Sequence, residues 1–390
     1  MKSNFVESLV HAVSNSLTDA SEFIPLHEPR MGELEKEFVS SCVQSTFVSS
    51  VGKYVDRFEK EIAQYTSTKY AVAVVNGTAA LHISLILAGV KKDTEVLVPS
   101  LTFAATANAV CYAGAVPHFV DSEEETFGIC PQKLDSYLSD NCDIQNNLCL
   151  NKKTGRQIAA IIPVHIFGHP CKIDEILEVA RKYNLAVVED AAESLGSFYK
   201  GKHTGTFGKL GAISFNGNKI ITTGGGGMII TDDEELAQQA KHLTTTAKVP
   251  HKWEYVHDQI GYNYRMPNLN AAFGCAQLKQ LPKFLQSKRD LFERYSKQLS
   301  GLNGIRLLKE PAECSSNYWL QTIVLDEPDE ELRNIILTTL NEAGLMSRPA
   351  WTGLHKLEHF NECPKMDIKV VNSLGKRIIN IPSSSFLIQI

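Results

Sequence analysis

An α/β fold around a mostly parallel sheet follows from three features of this sequence. From about residue 70 to 233, short apolar runs alternate with segments of helical periodicity, the pattern of strands joined by crossover helices. Several runs are apolar throughout, as strands covered on both faces must be. Residues able to do chemistry stand just past the ends of those runs, the edge at which such sheets place their ligands.

Taken in chain order, Val6, Leu9, Val10, Val13 and Leu17 recur at helical spacing, broken by Glu7, Ser8, His11 and Asn15. The segment 1–22 is predicted to be an amphipathic helix docked on the body or on a partner subunit, since it lacks the continuous apolar core of a signal peptide. Strands are expected at Tyr70–Val75, Glu95–Pro99, Val116–Val120, Ile158–Val164, Leu185–Glu189, Gly211–Phe215 and Gly227–Thr231. Helical patterns lie between many of them, at Ala79–Leu87, Ala105–Tyr112, Ile173–Tyr183 and Asp233–Leu243. The polar stretch Asn141–Arg156 reads as a surface excursion. A long helical pattern from Asn268 to about Leu299 leaves this domain. Beyond it, Asn317–Leu325 reads as a strand and Glu330–Glu342 as a helix. The expected organisation is an N-terminal helix (1–22), a large α/β domain (23–267), a connecting helix (268–299) and a small α+β domain (300–390).

Composition narrows the function. The chain has 390 residues, 43% of them hydrophobic and 21% charged, the make-up of a folded globule with ample core. A net charge of −5 gives no support to nucleic-acid binding. An anionic substrate must therefore be caught by local amides and a few cations. Nine scattered cysteines with no C-x2-C pair fit reduced thiols better than a disulfide framework. No stretch approaches the roughly 18 apolar residues that span a bilayer. The expected location is the cytoplasm.

The chemistry concentrates on Lys219. The apolar strand ending in Ser214 and Phe215 delivers it to a turn ahead of Gly224–Gly227, and another strand delivers Asp190. A primary amine and a carboxylate at neighbouring strand ends suit pyridoxal phosphate, which needs a lysine for its Schiff base and an acid facing its ring nitrogen. Asp190 could otherwise cap the following helix. Asn76-Gly77-Thr78-Ala79 follows a strand and opens a helix. Its amides, the helix dipole and the Thr78 hydroxyl favour a phosphate, although Thr78 alone could be a cap. Phe103, past another strand end, could stack on a flat ring or belong to the core. Ser214, five residues before Lys219, could help hold the phosphate. The glycines 224–227 lack the spacing of a nucleotide loop and read as room for close backbone approach. His355-Lys356-Leu357-Glu358-His359 matches the H-x-x-E-H pattern of one zinc-peptidase group, but it lies away from every strand-end site. His165 and His169 span Gly168 and precede Pro170, which argues against a helical ligand pair. No metal is predicted.

Together these residues resemble the DegT/DnrJ/EryC1/StrS family of sugar aminotransferases, a branch of the fold-type I pyridoxal-phosphate enzymes. The likeness runs from about Ile24 to the C-terminus, through Ile24-Pro25-Leu26, Phe58-Glu59, Asn76–Leu81, Pro99–Asn108, Glu189–Glu193, Ser214–Lys219, Gly261–Met266 and Arg348–His355. The resemblance implies that Lys219 carries the cofactor and that Asp190 pairs with its ring nitrogen. It implies phosphate contacts from Gly77, Thr78, Ala79 and Ser214, and a stacking role for Phe103. Asn263 would reach the phosphate of a neighbouring subunit, which implies a homodimer with shared sites. Asn216, Arg265 and His355 fall where the substrate is met.

Two departures narrow the group. Asn216-Gly217 stands where the family often has His-Pro, and Glu193 where it often has Gln beside the cofactor's ring oxygen. The first, with the stretch 45–52 and the extra N-terminal helix, resembles UDP-linked 4-keto-sugar aminotransferases of bacillosamine and legionaminic acid synthesis. The implied reaction moves an amino group from glutamate to C4 of a UDP-linked 4-keto-6-deoxy-N-acetyl-hexose. Alternatives are a dTDP- or GDP-linked keto sugar, or a pyridoxamine-dependent sugar dehydratase, whose members replace the Schiff-base lysine.

Overall fold

The continuous apolar runs form strands buried on both faces. The computed structural model describes residues 2–18 and 22–388; residues 1 and 19–21 of the expected N-terminal segment, and 389–390 of the expected small domain, lie outside the described residues. Its centre is a nine-stranded sheet. Along the main path the strands follow the order Tyr70–Val74, Gly227–Thr231, Leu210–Ser214, Ala186–Asp190, Gln157–Ile161, Glu95–Pro99 and Val116–Val120. Neighbours from Leu210–Ser214 to Val116–Val120 are parallel. Gly227–Thr231 runs antiparallel to both strands beside it, so Tyr70–Val74 points the same way as the parallel set. All these strands but one thus end at the same edge.

Helices cover both faces, as the apolar runs require. Leu81, Ile83 and Leu85 of helix Gly77–Leu87, with Leu236 and Ala240 of helix Glu234–Thr244, pack on one side. Phe58 and Ile62 of helix Lys53–Thr66, with Ala271 and Cys275 of helix Asn268–Leu299, pack against Ile213, Phe215 and Met228 on the other. The segment 141–156 departs from expectation. Cys142–Gln145 and Leu148–Asn151 form a hairpin, and its second strand pairs antiparallel with Gln157–Ile161.

Ile305–Leu307, Gln321–Leu325, Ile378–Ile381 and Arg348–Pro349 form a second, four-stranded sheet. The N-terminal helix Lys2–Asn15 completes the core of this unit: Val6, Leu9 and Val13 are buried with Leu291, Tyr295, Ile336 and Ile379. It docks on the body of its own chain. Ile24 then bridges to Leu345, which strings residues 24–27 along the small unit. Lys288 of the long helix is fully buried and donates to the carbonyls of Tyr318, Trp319 and Ser383. Burial pushes its pKa down, but three acceptors match the three protons of an ammonium. The contact ties the Trp319 segment to the helix. No described helix is long and apolar enough to cross a membrane.

Candidate active site

The common strand edge assembles the site. Gly227 sits between Val74 and Ser214 in the ladder, where a Cβ would strike the Asn76 backbone at 2.4 Å. This close approach draws the Asn76–Gly77 turn onto the strand carrying Ser214. A Cβ on Gly77 would in turn meet Ser214 Cβ at 2.9 Å. Asn76 Oδ1 accepts from the Ala79 amide at 2.7 Å and caps helix Gly77–Leu87, whose Gly77 and Thr78 amides have no intrahelical acceptor. The Lys219 amide closes a turn on the Asn216 carbonyl at 3.0 Å. Phe215, packed on Phe58 with ring centroids 4.9 Å apart, anchors that turn from below. Asn270 Nδ2 holds the far side through the carbonyls of Thr223 (2.7 Å) and Gly225 (3.0 Å).

A cavity of about 390 Å³ opens above this floor, lined among others by Gly77, Thr78, Phe103, Asp190, Glu193, Ser214, Asn216 and Lys219. The Lys219 side chain is 12% exposed, with Nζ 3.5 Å from Glu193 Oε1 and 3.9 Å from the centre of the Trp319 ring. Asp190 is buried, its Oδ2 accepting from Thr106 Oγ1 at 2.8 Å and its Oδ1 from the Ala192 amide at 3.1 Å. Burial pushes its pKa up; the Thr106 and Ala192 donors, then the Lys219 charge, oppose that and favour the carboxylate. The preceding Glu189 accepts from the amides of Gly205, Phe207 and Gly208 and pairs with buried His165. That fixes the strand end from which Asp190 projects.

Glu193 is a second buried acid facing the cavity. Its Oε2 accepts from the Phe167 amide at 2.9 Å. Burial pushes the carboxyl up to about 7, against the Lys219 charge and that amide. An acid whose folded pKa lies above its unfolded value adds stability below the unfolded pKa, and loses it as pH rises through the folded one. The cofactor-free protein should therefore lose stability between about pH 4.5 and 7 more steeply than Glu193→Gln, as read by thermal melts across that window. Parallel curves would show that Glu193 does not carry the dependence.

The cavity lining does not include Ala79, Asn263, Arg265 or His355. The Ala79 amide is occupied by the Asn76 cap. Asn263 is exposed, on a backbone arm that bridges to Thr245, and Arg265 bridges to Val74 by its backbone. His355 Nδ1 bonds Ser100 Oγ at 2.6 Å; burial and then Lys356 push its pKa down. The H-x-x-E-H segment forms two separate short 3₁₀ turns, Leu354–Lys356 and Glu358–Phe360, so its histidines do not share a helical face. Among the described residues, no cluster of three or more His, Cys, Asp or Glu is placed to hold a metal ion. The sequence reading missed Thr106, Asn218, Trp319 and Trp351, which also line the cavity.

These residues fit pyridoxal phosphate. The helix N-terminus, narrowed by the Gly77–Ser214 contact, is a cradle for a phosphate. The buried carboxylate of Asp190 suits a protonated ring nitrogen, and Phe103 offers a ring face at the cavity rim. Lys219 is the amine within the same cavity.

Comparison with known proteins agrees with this geometry. The DegT/DnrJ/EryC1/StrS aminotransferase family model matches residues 29–388. The chain is 39% identical over 364 residues to a GDP-perosamine synthase of Escherichia coli O157:H7, covering 93% of each. It is 36% identical over 366 residues to a GDP-perosamine synthase of Caulobacter vibrioides, covering 93% of this chain and 94% of that one. A DegT/DnrJ/EryC1/StrS aminotransferase from Brucella abortus superimposes with a TM-score of 0.83 at 27% identity, covering 92% of each chain. The fold is that of the fold-type I aminotransferases, and the cofactor is pyridoxal phosphate. The chain belongs to the DegT/DnrJ/EryC1/StrS aminotransferase family.

Proposed function

We propose that this aminotransferase moves an amino group from glutamate to the keto carbon of a nucleotide-linked 4-keto-6-deoxy sugar. A GDP carrier is better supported than the UDP carrier expected from the sequence, because the relatives at 39% and 36% identity are named for a GDP-linked product. The observation that carries the reading is the cavity itself: Lys219, Asp190, Thr78 and Ser214 line one space beside a helix N-terminus.

When bound, pyridoxal phosphate supplies an electron sink for the carbon that loses its proton. The residues around it position and protect. The Gly77 and Thr78 amides, with the Thr78 and Ser214 hydroxyls, would hold the phosphate. The Asp190 carboxylate would face the ring nitrogen and favour its protonated form. Lys219 Nζ takes the α-proton of the donor and, in the second half-reaction, delivers a proton to the sugar carbon that bears the new nitrogen. Trp319 covers Nζ and keeps bulk water from it.

A homodimer with shared sites is part of the proposal. Asn263 is exposed and outside its own cavity, as a residue serving a neighbouring subunit would be, and Trp253, Tyr255 and Ile260 of the same region are exposed apolar side chains. The test is mass spectrometry of products from GDP-, UDP- and dTDP-linked 4-keto sugars with glutamate. Amination of the GDP-linked sugar is the expected result; turnover confined to the UDP-linked sugar would return the carrier to the original expectation, and no amination of any would overturn the proposal.

A further inference from the structure

Trp319 has all three of its polar groups committed. Its amide donates to Asn317 Oδ1 at 2.8 Å, its carbonyl accepts from Lys288 Nζ at 2.9 Å, and its indole Nε1 donates to the Asn218 carbonyl at 2.6 Å. Together these bonds set the ring over the residue that follows Asn218, with Lys219 Nζ 3.9 Å from the ring centre. Glu193 closes the other side, its Oε1 3.5 Å from Nζ. The second carboxyl oxygen is held by the Phe167 amide at 2.9 Å. Phe167 presents that amide from a left-handed backbone, φ 55°, a conformation costly for a residue with a side chain. One residue ties the two walls together. Asn317, which holds the Trp319 amide, also donates Nδ2 to the carbonyls of Glu193 and Leu195, each at 2.9 Å. A Cβ on Gly168 would strike Asn317 Oδ1 at 1.9 Å, so glycine there makes room for the tie.

We propose that Trp319 and Glu193 form a seat for the protonated side chain of Lys219, occupied whenever its amine is not bonded to the cofactor. The seat rests on the proton transfer assigned to Lys219 above. When Nζ takes the α-proton of the donor, a C–H bond breaks, an N–H bond forms and the amine becomes an ammonium; the electron pair of the C–H bond goes to the sink that the cofactor supplies. A cation in a buried site is costly unless something there attracts it. An aromatic face does so through its ring electrons, and a carboxylate through its charge. A leucine and a glutamine at these positions could cover Nζ as well, but would offer the charge far less. The seat thus receives the charge that the base acquires, which makes Trp319 and Glu193 positioning residues for this step. Asp190 and His27 also sense the Lys219 charge, but among the described residues the ion pair is with Glu193.

The test reads Lys219 in the cofactor-free protein by its rate of acetylation with trace acetic anhydride. Peptide mass spectrometry measures that rate against the exposed amines of Lys36 and Lys369. Wild type, Trp319→Leu, Trp319→Phe and Glu193→Gln are compared from about pH 8 to about pH 10.5, a range that ends where a free lysine loses its proton. Only the unprotonated amine reacts, so a seat that favours the ammonium slows acetylation at the lower end. Trp319→Leu and Glu193→Gln are each expected to raise the rate about 2- to 30-fold near pH 8, with the gain shrinking towards the upper end. Trp319→Phe keeps a ring face and should gain less than Trp319→Leu. Loss of a mere cover would raise the rate by the same factor at every pH, and that result would overturn the seat. Unchanged rates in both Trp319→Leu and Glu193→Gln would overturn it too. Borohydride reduction of the holoenzyme, with mapping of the tagged lysine, separates this from the reading beneath it. A cofactor fixed to another lysine would sink the role of Lys219, whereas one fixed to Lys219 beside unchanged acetylation would sink the seat alone.

Discussion

Lys219→Ala is expected to lower turnover by at least about 10⁴-fold, because it removes both the covalent anchor of the cofactor and the base that moves the proton. The loss needs separating from a structural one. Lys219 Nζ is the cation 3.5 Å from buried Glu193 and packs over Trp319, so alanine also leaves a buried acid without its partner. Lys219→Arg resolves this. It keeps a cation for Glu193 and for the Trp319 face, but a guanidinium stays protonated and cannot serve as nucleophile or base. Thermal stability should therefore fall in Lys219→Ala and largely recover in Lys219→Arg, while neither regains activity. The lysine-linked visible absorbance should be missing from both. Near-wild-type turnover in either variant would remove Lys219 from the centre of the chemistry.

How much of this was legible in the sequence depended on how local the cause was. Glu95–Pro99 and Val116–Val120 were readable because strands buried on both faces leave a mostly apolar signature, broken here only by Glu95 and His118. The long helix Asn268–Leu299 was readable from its period, even with Pro282 inside it. The hairpin at 142–151 was not: Asp143, Ile144 and Gln145 are exposed, and its strand order is set by pairing with Gln157–Ile161. The antiparallel direction of Gly227–Thr231 was equally hidden, since it follows from the way residues 216–226 fold back on Phe215.

The site divides in the same way. Lys219, Asp190, Thr78 and Ser214 were legible because a strand end is a local feature, and the fold sends every such end to one edge. Trp319 and Trp351 come from the small unit, whose approach to that edge is a long-range event; nothing in their neighbours announces it. Thr106 was hidden for a related reason. Its hydroxyl lies in the first turn of helix Ala104–Tyr112, and only the folded chain sets that turn beside the end of the strand carrying Asp190, where the hydroxyl meets the carboxylate.

Asp190→Asn is expected to lower turnover by roughly 10²–10³-fold, the scale of losing one preorganised electrostatic contact at a reacting group. The substitution isolates charge from shape. Asparagine keeps the size of the side chain and can keep an oxygen toward the Ala192 amide, as Asp190 Oδ1 does at 3.1 Å. What it loses is the negative charge, the feature that would keep a ring nitrogen protonated. Burial disfavours that charge, and the Thr106 hydroxyl, the Ala192 amide and Lys219 partly offset this. Thr106→Val should therefore behave as a weaker version of the same lesion. Removing the 2.8 Å donor lets burial raise the carboxyl further, so activity should fall at neutral pH and recover in part as pH rises and the acid ionises. Asp190→Asn has no acid to ionise, and its activity should show no such recovery. Wild-type turnover in Asp190→Asn, or the same pH response in both variants, would mean that the carboxylate holds the loop and not the cofactor.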